Sequence, residues 1–381
     1  MADLSQLRER MDAIDAQIFQ LFAERTATSE EIGAYKRANN LRVYDPARER
    51  EKVLSAANQV PEDMRTYAQV LMELLMEASR KRQTALVGSK DDTLQRIVDA
   101  AAATPELFPT NSFVACQGVE GANSQTAAER IFKHPMISYF NTFEGVFKAV
   151  EQGFCDYGVL PIENSTAGSV NQVYDLMMAH DFHVVRTTRL KIDHNLMAKP
   201  GVTLDQVAHV YSHQQAISQC AEYLASLKGV TVHVCENTAM AAKAVAESDA
   251  TDVAALSSRP CADLYGLDIL ARSVQDRDNN YTRFACIAKD LAIYPGANRT
   301  SLMLVVNHEP GALYKVLAKF FALDINIIKL ESRPIPDRDF EFMFYFDIDC
   351  PVAAPEFKTL MATLPNLCQE CRYLGSYIEV V

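Results

Sequence analysis

Leu4, Leu7, Met11, Ile14, Ile18 and Leu21 recur at alternating spacings of three and four residues. That is the apolar seam of an amphipathic helix. No proline or glycine interrupts the chain before Gly33, so the helix is predicted from about Asp3 to Asn39, on the order of 55 Å at the usual rise per residue. A domain of roughly ninety residues, a small one by the usual size range, cannot bury so long a stripe alone. The pattern predicts an intertwined second copy, most simply a symmetric dimer, with higher homo-oligomers open.

The seam then breaks its own rule. The next position in register is Arg25, and Lys36 shares its face three turns later. A buried cation needs an anion, which is either a ligand or a nearby carboxylate such as Glu24. Asp45-Pro46 reads as the cap and first position of a second helix, with Arg48 and Glu49 in its first turns. A third helix, about 62–86, carries Ser79 and Gln83 one turn apart. By helical angle Arg8 points away from the Arg25 face, which suits reaching into a partner's site.

The chain has 381 residues, consistent with two or three domains, and its 49% hydrophobic content supports ordinary packed cores. A net charge of −12 makes nucleic acid a poor partner for the whole chain. The charged, amphipathic N-terminus is read as lacking a signal peptide. No apolar run approaches the ~18 residues of a membrane span. Nine scattered cysteines suit reduced thiols and a cytoplasmic location. The single CxxC, Cys368 to Cys371, is read as packing rather than as a metal or redox site. No metal and no cofactor is expected.

Residues 89–111 read as a linker containing one short helix. From 112 to 291, strand and helix signals alternate, which predicts an α/β region with mainly parallel strands. Gly118 and Gly121 lie between a strand and a helix, but GxGxxG and a P-loop lysine are both absent, so a nucleotide is not expected. Residues 157–170, "YGVLPIENSTAGSV", pose a choice. A nucleophilic serine would need a base and often a GxSxG elbow, which is missing. The alternatives are a plain helix cap near Val170 or a cradle of hydroxyls and free N–H groups for a substrate. Residues 299–381 spell βαββαβ, with helices on one sheet face and the other face available to another copy. Gly311, at a helix start, permits close backbone approach to a carboxylate.

Three resemblances follow from these strings. Arg8 in "QLRERMDAID", Arg25 in "FAERTA", Lys36 in "IGAYK", the run "DPARERE", and Ser79 with Gln83 in "EASRKRQ" resemble the all-helical chorismate mutase family. The resemblance implies that Arg25, Arg48 and the partner's Arg8 hold the substrate carboxylates. It implies Lys36 and Gln83 at the ether oxygen, Glu49 at the ring hydroxyl, and Asp45 and Ser79 in support. The strings "PIENSTAGSV", "IDHNLMAK", "YSHQQAISQC", "ENTAMAAKAVAES" and "DRDNNYTRF" resemble the prephenate dehydratase family in this order. One departure is Gln214, where that family commonly has proline. This resemblance implies two α/β subdomains of the periplasmic-binding-protein type around a cleft. Thr282 would touch the leaving hydroxyl, with Glu163, Asn164, Ser165, Thr166 and Phe284 as cradle and wall, and His213 as a candidate general acid. "GALY" and "ESRP" resemble the ferredoxin-like ACT domain. They imply an L-phenylalanine site at Asn307, Gly311, Ala312, Leu313, Glu331 and Ser332.

The whole reads as a multidomain chain that turns chorismate into prephenate and prephenate into phenylpyruvate under feedback by phenylalanine. The alternatives are a dehydratase with a non-catalytic helical arm, and a non-catalytic phenylalanine-binding regulator. A fusion to a dehydrogenase is disfavoured by the missing GxGxxG.

Overall fold

The computed structural model describes residues 3–39, 41, 43, 45–87, 92–336, 338 and 341–381, with the backbone alone for Pro46, Lys81 and residues 84–87. The chain divides into two compact units, Met1–Asp92 and Thr93–Val381.

In the first unit, α1 (Leu4–Ala38), α2 (Pro46–Ala57) and α3 (Arg65–Val87) follow in order. α1 runs unbroken for 35 residues, as its spacing predicts. Asp45 caps α2 by accepting the Arg48 N–H at 3.1 Å, and Pro46 sits where a helical N–H has no partner. α3 packs on both α1 and α2, but it is 23 residues long and cannot cover all of α1. The seam residues Leu4, Leu7, Met11, Ile14, Ile18 and Leu21 are 43–63% exposed. The only buried residues on α1 are Ser29 and Gly33, small side chains that let α3 approach.

The second unit begins with α4 (Thr93–Ala103), then β1 (Asn111–Gln117), α5 (Asn123–Ile131), β2 (His134–Phe140), α6 (Phe143–Glu151), β3 (Tyr157–Asn164), β4 (Gly168–Ser169), α7 (Asn171–Ala179) and β5 (His183–Lys191). There follow β6 (Asn195–Ala198), β7 (His209–His213), α8 (Gln214–Gln219), α9 (Ala221–Ser226), β8 (Thr231–Cys235), α10 (Thr238–Glu247), β9 (Val253–Ser257), α11 (Arg259–Tyr265), β10 (Asp268–Ala271) and β11 (Tyr281–Ala288). The remainder is β12 (Arg299–Val306), α12 (Ala312–Ala322), β13 (Asn326–Pro334), β14 (Phe342–Asp349), α13 (Pro355–Thr363), β15 (Cys368–Tyr377) and β16 (Glu379–Val380).

These strands build three sheets. The first has the order β16-β5-β11-β3-β1-β2, with β4 on β3; the second is β10-β6-β9-β7-β8; the third is β13-β14-β12-β15. The chain crosses from the first sheet to the second between β5 and β6 and returns between β10 and β11. The expectation of mainly parallel strands is corrected here. β1, β2 and β3 are parallel, but β11 returns antiparallel to both β3 and β5. Strands on a chain that leaves a sheet and comes back need not keep its direction.

The third sheet with α12 and α13 is a βαββαβ module. Leu302, Leu304, Phe346 and Ile348 pack under Val316, Phe320, Phe357 and Leu360 of the helices. Ile97 of α4, within the stretch read as a linker, is buried in this same core. Cys368 and Cys371 also pack against it. The opposite face had been expected to await another copy. Its residues Met303, Val305, Met343, Tyr345 and Tyr377 instead pack on Ile162, Val184, Ala285 and Ile287 of the first sheet. An apolar face is covered by the nearest complementary surface, and here that surface belongs to the same chain.

β16 then leaves the module and pairs with β5 in the first sheet. Gly375 makes this close approach possible. Its φ is +143°, and an added Cβ would lie 2.1 Å from the Val184 carbonyl oxygen. Gly375→Ala is therefore expected to destabilise the second unit by about 2–5 kcal/mol, from strain plus overpacking against backbone. A urea midpoint equal to that of the parent would refute this.

Candidate active sites

In the helical unit the polar residues converge where α1 and α3 touch. Arg25 Nη1 donates to the Leu75 carbonyl and to Ser79 Oγ, both at 2.5 Å. Ser29 Oγ donates to Ser79 Oγ at 2.9 Å. These partners of Arg25 carry no charge, and Glu24 instead accepts from Gln20. Partial burial lowers the Arg25 pKa, so an incoming carboxylate would find an incompletely compensated cation. Lys36 Nζ donates to the Val43 carbonyl at 2.7 Å. Glu49 pairs with Arg80, and Arg48 with Glu51 at 2.6 Å. Gln83 is buried, and its Oε1 has no hydrogen-bond partner among the described residues. Arg8 is exposed on the bare stretch of α1. Ser29 and Arg80 were not singled out from sequence, although Ser29 lies one turn after Arg25.

In the second unit a separate cluster forms where the chain crosses between the first and second sheets. Asn164 ends β3 and is 5% exposed. Its Oδ1 accepts from the N–H groups of Thr166 (3.1 Å) and Ala167 (3.0 Å) and from Thr166 Oγ1 (2.7 Å). Its Nδ2 donates to Thr282 Oγ1 at 3.0 Å and to Asn280 Oδ1 at 2.8 Å. One amide thus folds the 164–168 turn and ties it to the start of β11. Gln219, at the end of α8, donates to Thr166 Oγ1 at 2.7 Å. Its Oε1 accepts from Asn280 Nδ2 and shares a hydrogen with His194 Nε2, both at 2.9 Å. Burial lowers the His194 pKa, and because an amide oxygen only accepts, Nε2 carries the shared hydrogen.

The choice posed by residues 157–170 turns on the partners of Ser165. Ser165 Oγ donates to the Asn279 carbonyl at 2.5 Å and accepts the Tyr281 N–H at 2.9 Å. It holds two loops together, and among the described residues no base hydrogen-bonds to it. Phe284 is 2% exposed and lies in the core beneath Thr282 rather than on an open wall. His213 caps α8, its Nδ1 accepting the Gln215 N–H at 3.3 Å, and burial lowers its pKa. None of its hydrogen bonds among the described residues reaches Thr282. Glu163 faces away from the Thr282 side and bonds Lys329 at 2.8 Å.

Two family models match the chain: "Chorismate mutase type II" over residues 7–84 and "Prephenate dehydratase" over residues 114–292. The Escherichia coli "Bifunctional chorismate mutase/prephenate dehydratase" is 31% identical, over 97% of this chain and 95% of its own. The chain belongs to the bifunctional chorismate mutase/prephenate dehydratase family. An Arabidopsis thaliana "Arogenate dehydratase/prephenate dehydratase 2" is 37% identical, over 69% of this chain and 72% of its own. Among solved structures, a prephenate dehydratase from Arthrobacter aurescens in complex with L-Phe superposes with a TM-score of 0.65 at 25% identity, over 70% of this chain and 89% of that one. A structure titled as the quorum quenching acylase GqqA gives 0.64 at 30% identity, over 70% and 97%.

For this bifunctional family member, sequence reasoning missed Gln219, Asn280 and His194. All three lie in quoted strings, yet nothing local marks them, because each amide or ring acts on a residue far away in the chain. The C-terminal residues are divided. Gly311 begins α12 with φ +82°, as expected, with Ala312 and Leu313 in its first turn and Asn307 in the preceding loop. Ser332 is exposed on β13. Glu331 sits on the other side of that strand and accepts from Ser169. Among the described residues no helix is long and apolar enough to cross a membrane.

Proposed function

We propose that the family's two reactions run on two separate constellations of this chain. Chorismate is rearranged in the helical unit by Arg25, Lys36, Asp45, Arg48, Glu49, Ser79 and Gln83, completed by Arg8 from a second copy. The substrate is a dianion, so guanidinium forks hold its carboxylates, while Lys36 and Gln83 stabilise charge that builds on the breaking ether. No protein nucleophile is needed, since holding the reactive fold of the side chain supplies much of the barrier reduction. The bare apolar face of α1 supports the second copy.

Prephenate is then converted at the Asn164–Thr282 cluster. The ring hydroxyl leaves as water, and the bond to the quaternary carboxylate breaks to release CO2. The electron pair of that bond completes the aromatic ring of phenylpyruvate. Thr282 is too weak an acid to protonate the hydroxyl unaided, so it orients the group and passes a proton from water. Ser165 and Thr166 frame the substrate loop through their hydrogen bonds. L-phenylalanine inhibits through the βαββαβ module, read as an ACT domain of residues 299–381, with Gly311, Ala312, Leu313, Asn307 and Ser332 nearest the effector. The L-Phe complex of the Arthrobacter relative supports this.

The observation that carries the reading is the match along 97% of the chain to an enzyme with both activities. The test follows prephenate and phenylpyruvate from chorismate, with and without phenylalanine, in the parent and in Lys36→Ala. Lys36→Ala is expected to lose about 10²–10³-fold in mutase rate, the usual cost of one preorganised charge-stabilising donor. Its turnover of added prephenate should stay within a few-fold. Equal loss of both activities would sink the two-site reading, parental mutase activity in Lys36→Ala would remove Lys36 from the mutase site, and a parent that turns over prephenate but not chorismate would leave the helical unit as a dimerisation arm.

A further inference from the structure

We propose that Lys329, on the βαββαβ module, is a positioning residue of the dehydratase site. It acts through Glu163 and Ser169 on the turn that holds Asn164 against Thr282.

The argument starts from the pleat. In the β3–β11 pair Asn164 stands opposite Thr282, and Glu163 opposite Arg283. Paired residues share a face of a sheet, and successive residues alternate between faces. Asn164 and Thr282 therefore meet on the side of Asn280 and Gln219, joined at 3.0 Å. Glu163 and Arg283 point to the other side, toward the module. What the module does to Glu163 is one peptide unit away from the reacting end of the strand pair.

Lys329 grips that other side. Its side chain is 9% exposed, and its Nζ lies 2.8 Å from Glu163 Oε1. The same Nζ donates to Ser169 Oγ at 2.8 Å. Ser169 is the residue of β4 directly opposite Glu163. One ammonium thus holds both strands of the hairpin at its base, and the hairpin's tip is the Asn164 turn. Ser169 in turn donates to Glu331, whose Oε2 is 4.0 Å from Nζ. Without the ammonium, two carboxylates would face each other across one serine. Like charges so placed repel, and the hairpin stem would shift. A buried ammonium also keeps its anions strongly, because an unpaired charge there is expensive.

The test uses the full-length enzyme with prephenate as substrate. Lys329→Met is expected to lower dehydratase kcat by about 10-fold or more with KM little changed, because a sub-ångström displacement of the Asn164 turn weakens transition-state contacts first. Lys329→Arg should recover most of the loss. The double variant Lys329→Met/Glu163→Gln should be no worse than Lys329→Met alone, since removing one charge relieves the repulsion left by removing the other. Lys329→Gln keeps a donor for Ser169 without the charge, and it carries the same comparison if the methionine variant folds poorly. Parental kcat and KM in a folded Lys329→Met or Lys329→Gln enzyme would overturn the proposal. Losses that simply multiply in the double variant would overturn it as well. The proposal rests on the dehydratase site lying at Thr282. Full activity of Thr282→Ala would remove that footing, a result distinguishable from an indifferent Lys329.

Discussion

Thr282→Ala is expected to lower dehydratase kcat by about 10²–10³-fold while KM for prephenate stays within a few-fold, the pattern of an interaction realised mainly in the transition state. Thr282 Oγ1 accepts one hydrogen bond, from Asn164 Nδ2 at 3.0 Å. That leaves the hydroxyl's own hydrogen for the departing group, and it fixes the rotamer from which the hydrogen is offered. Alanine removes the donor, while the Asn164 amide, 5% exposed, keeps Asn280 Oδ1 and the Tyr281 carbonyl as acceptors. Thr282→Ser restores the hydroxyl but not the methyl that restrains its rotamer, so it should recover part of the rate. Mutase activity should be unaffected, because Thr282 belongs to the other compact unit. Steady-state kinetics with prephenate decide the matter. Parental turnover by Thr282→Ala would show that β11 does not reach the reacting atoms.

Arg283→Met is expected to destabilise the second unit by about 3–5 kcal/mol, the usual result of removing one member of a buried ion pair. Arg283 is 7% exposed. Its Nη1 donates to Asp347 Oδ2 at 2.9 Å, and its Nε lies 3.0 Å from Glu379 Oε1, which also accepts from Arg299 at 2.8 Å. Nε is near Glu379 but off the hydrogen-bond line, and Nη2 has no hydrogen-bond partner among the described residues. The cluster therefore relies on charge more than on hydrogen-bond geometry. Burial works against the guanidinium's charge, but Asp347, Tyr377 and Glu379 outweigh it and hold the proton more firmly than usual. With methionine in its place, Asp347 would retain only the hydroxyls of Ser301 and Tyr377. The chain has no tryptophan, so the urea transition is best followed by circular dichroism. Arg283→Met/Asp347→Leu should regain part of the loss, because it removes the stranded charge. A midpoint unchanged in Arg283→Met would mean that the cluster contributes nothing net.

Several features could be read from the sequence because they are local. The three-four spacing from Leu4 to Leu21 specifies a helix, since an α-helical turn is close to that period. Asp45-Pro46 marks a helix start because the cap and the missing N–H act within one turn. The turn at Asn164 and the polar positions of the helical unit lie within short strings whose order carried the resemblance. The alternation Thr282–Arg283–Phe284 also correctly separated two faces of β11.

What covers each face was not in the alternation. The pleat says that Glu163 and Asn164 point opposite ways, but only the fold puts Thr282 before one and Lys329 before the other. Gln219, Asn280 and His194 join the cluster because the chain passes twice between two sheets and brings segments far apart in sequence together. The same holds for β11 running antiparallel to β3, for β16 entering the first sheet, and for the burial of Met303, Val305 and Tyr345 against their own chain. Helix periods and caps depend on residues a few positions apart. Strand direction, the partner of a sheet face and the neighbours of a buried charge depend on contacts between distant segments, so only the tertiary structure decided them.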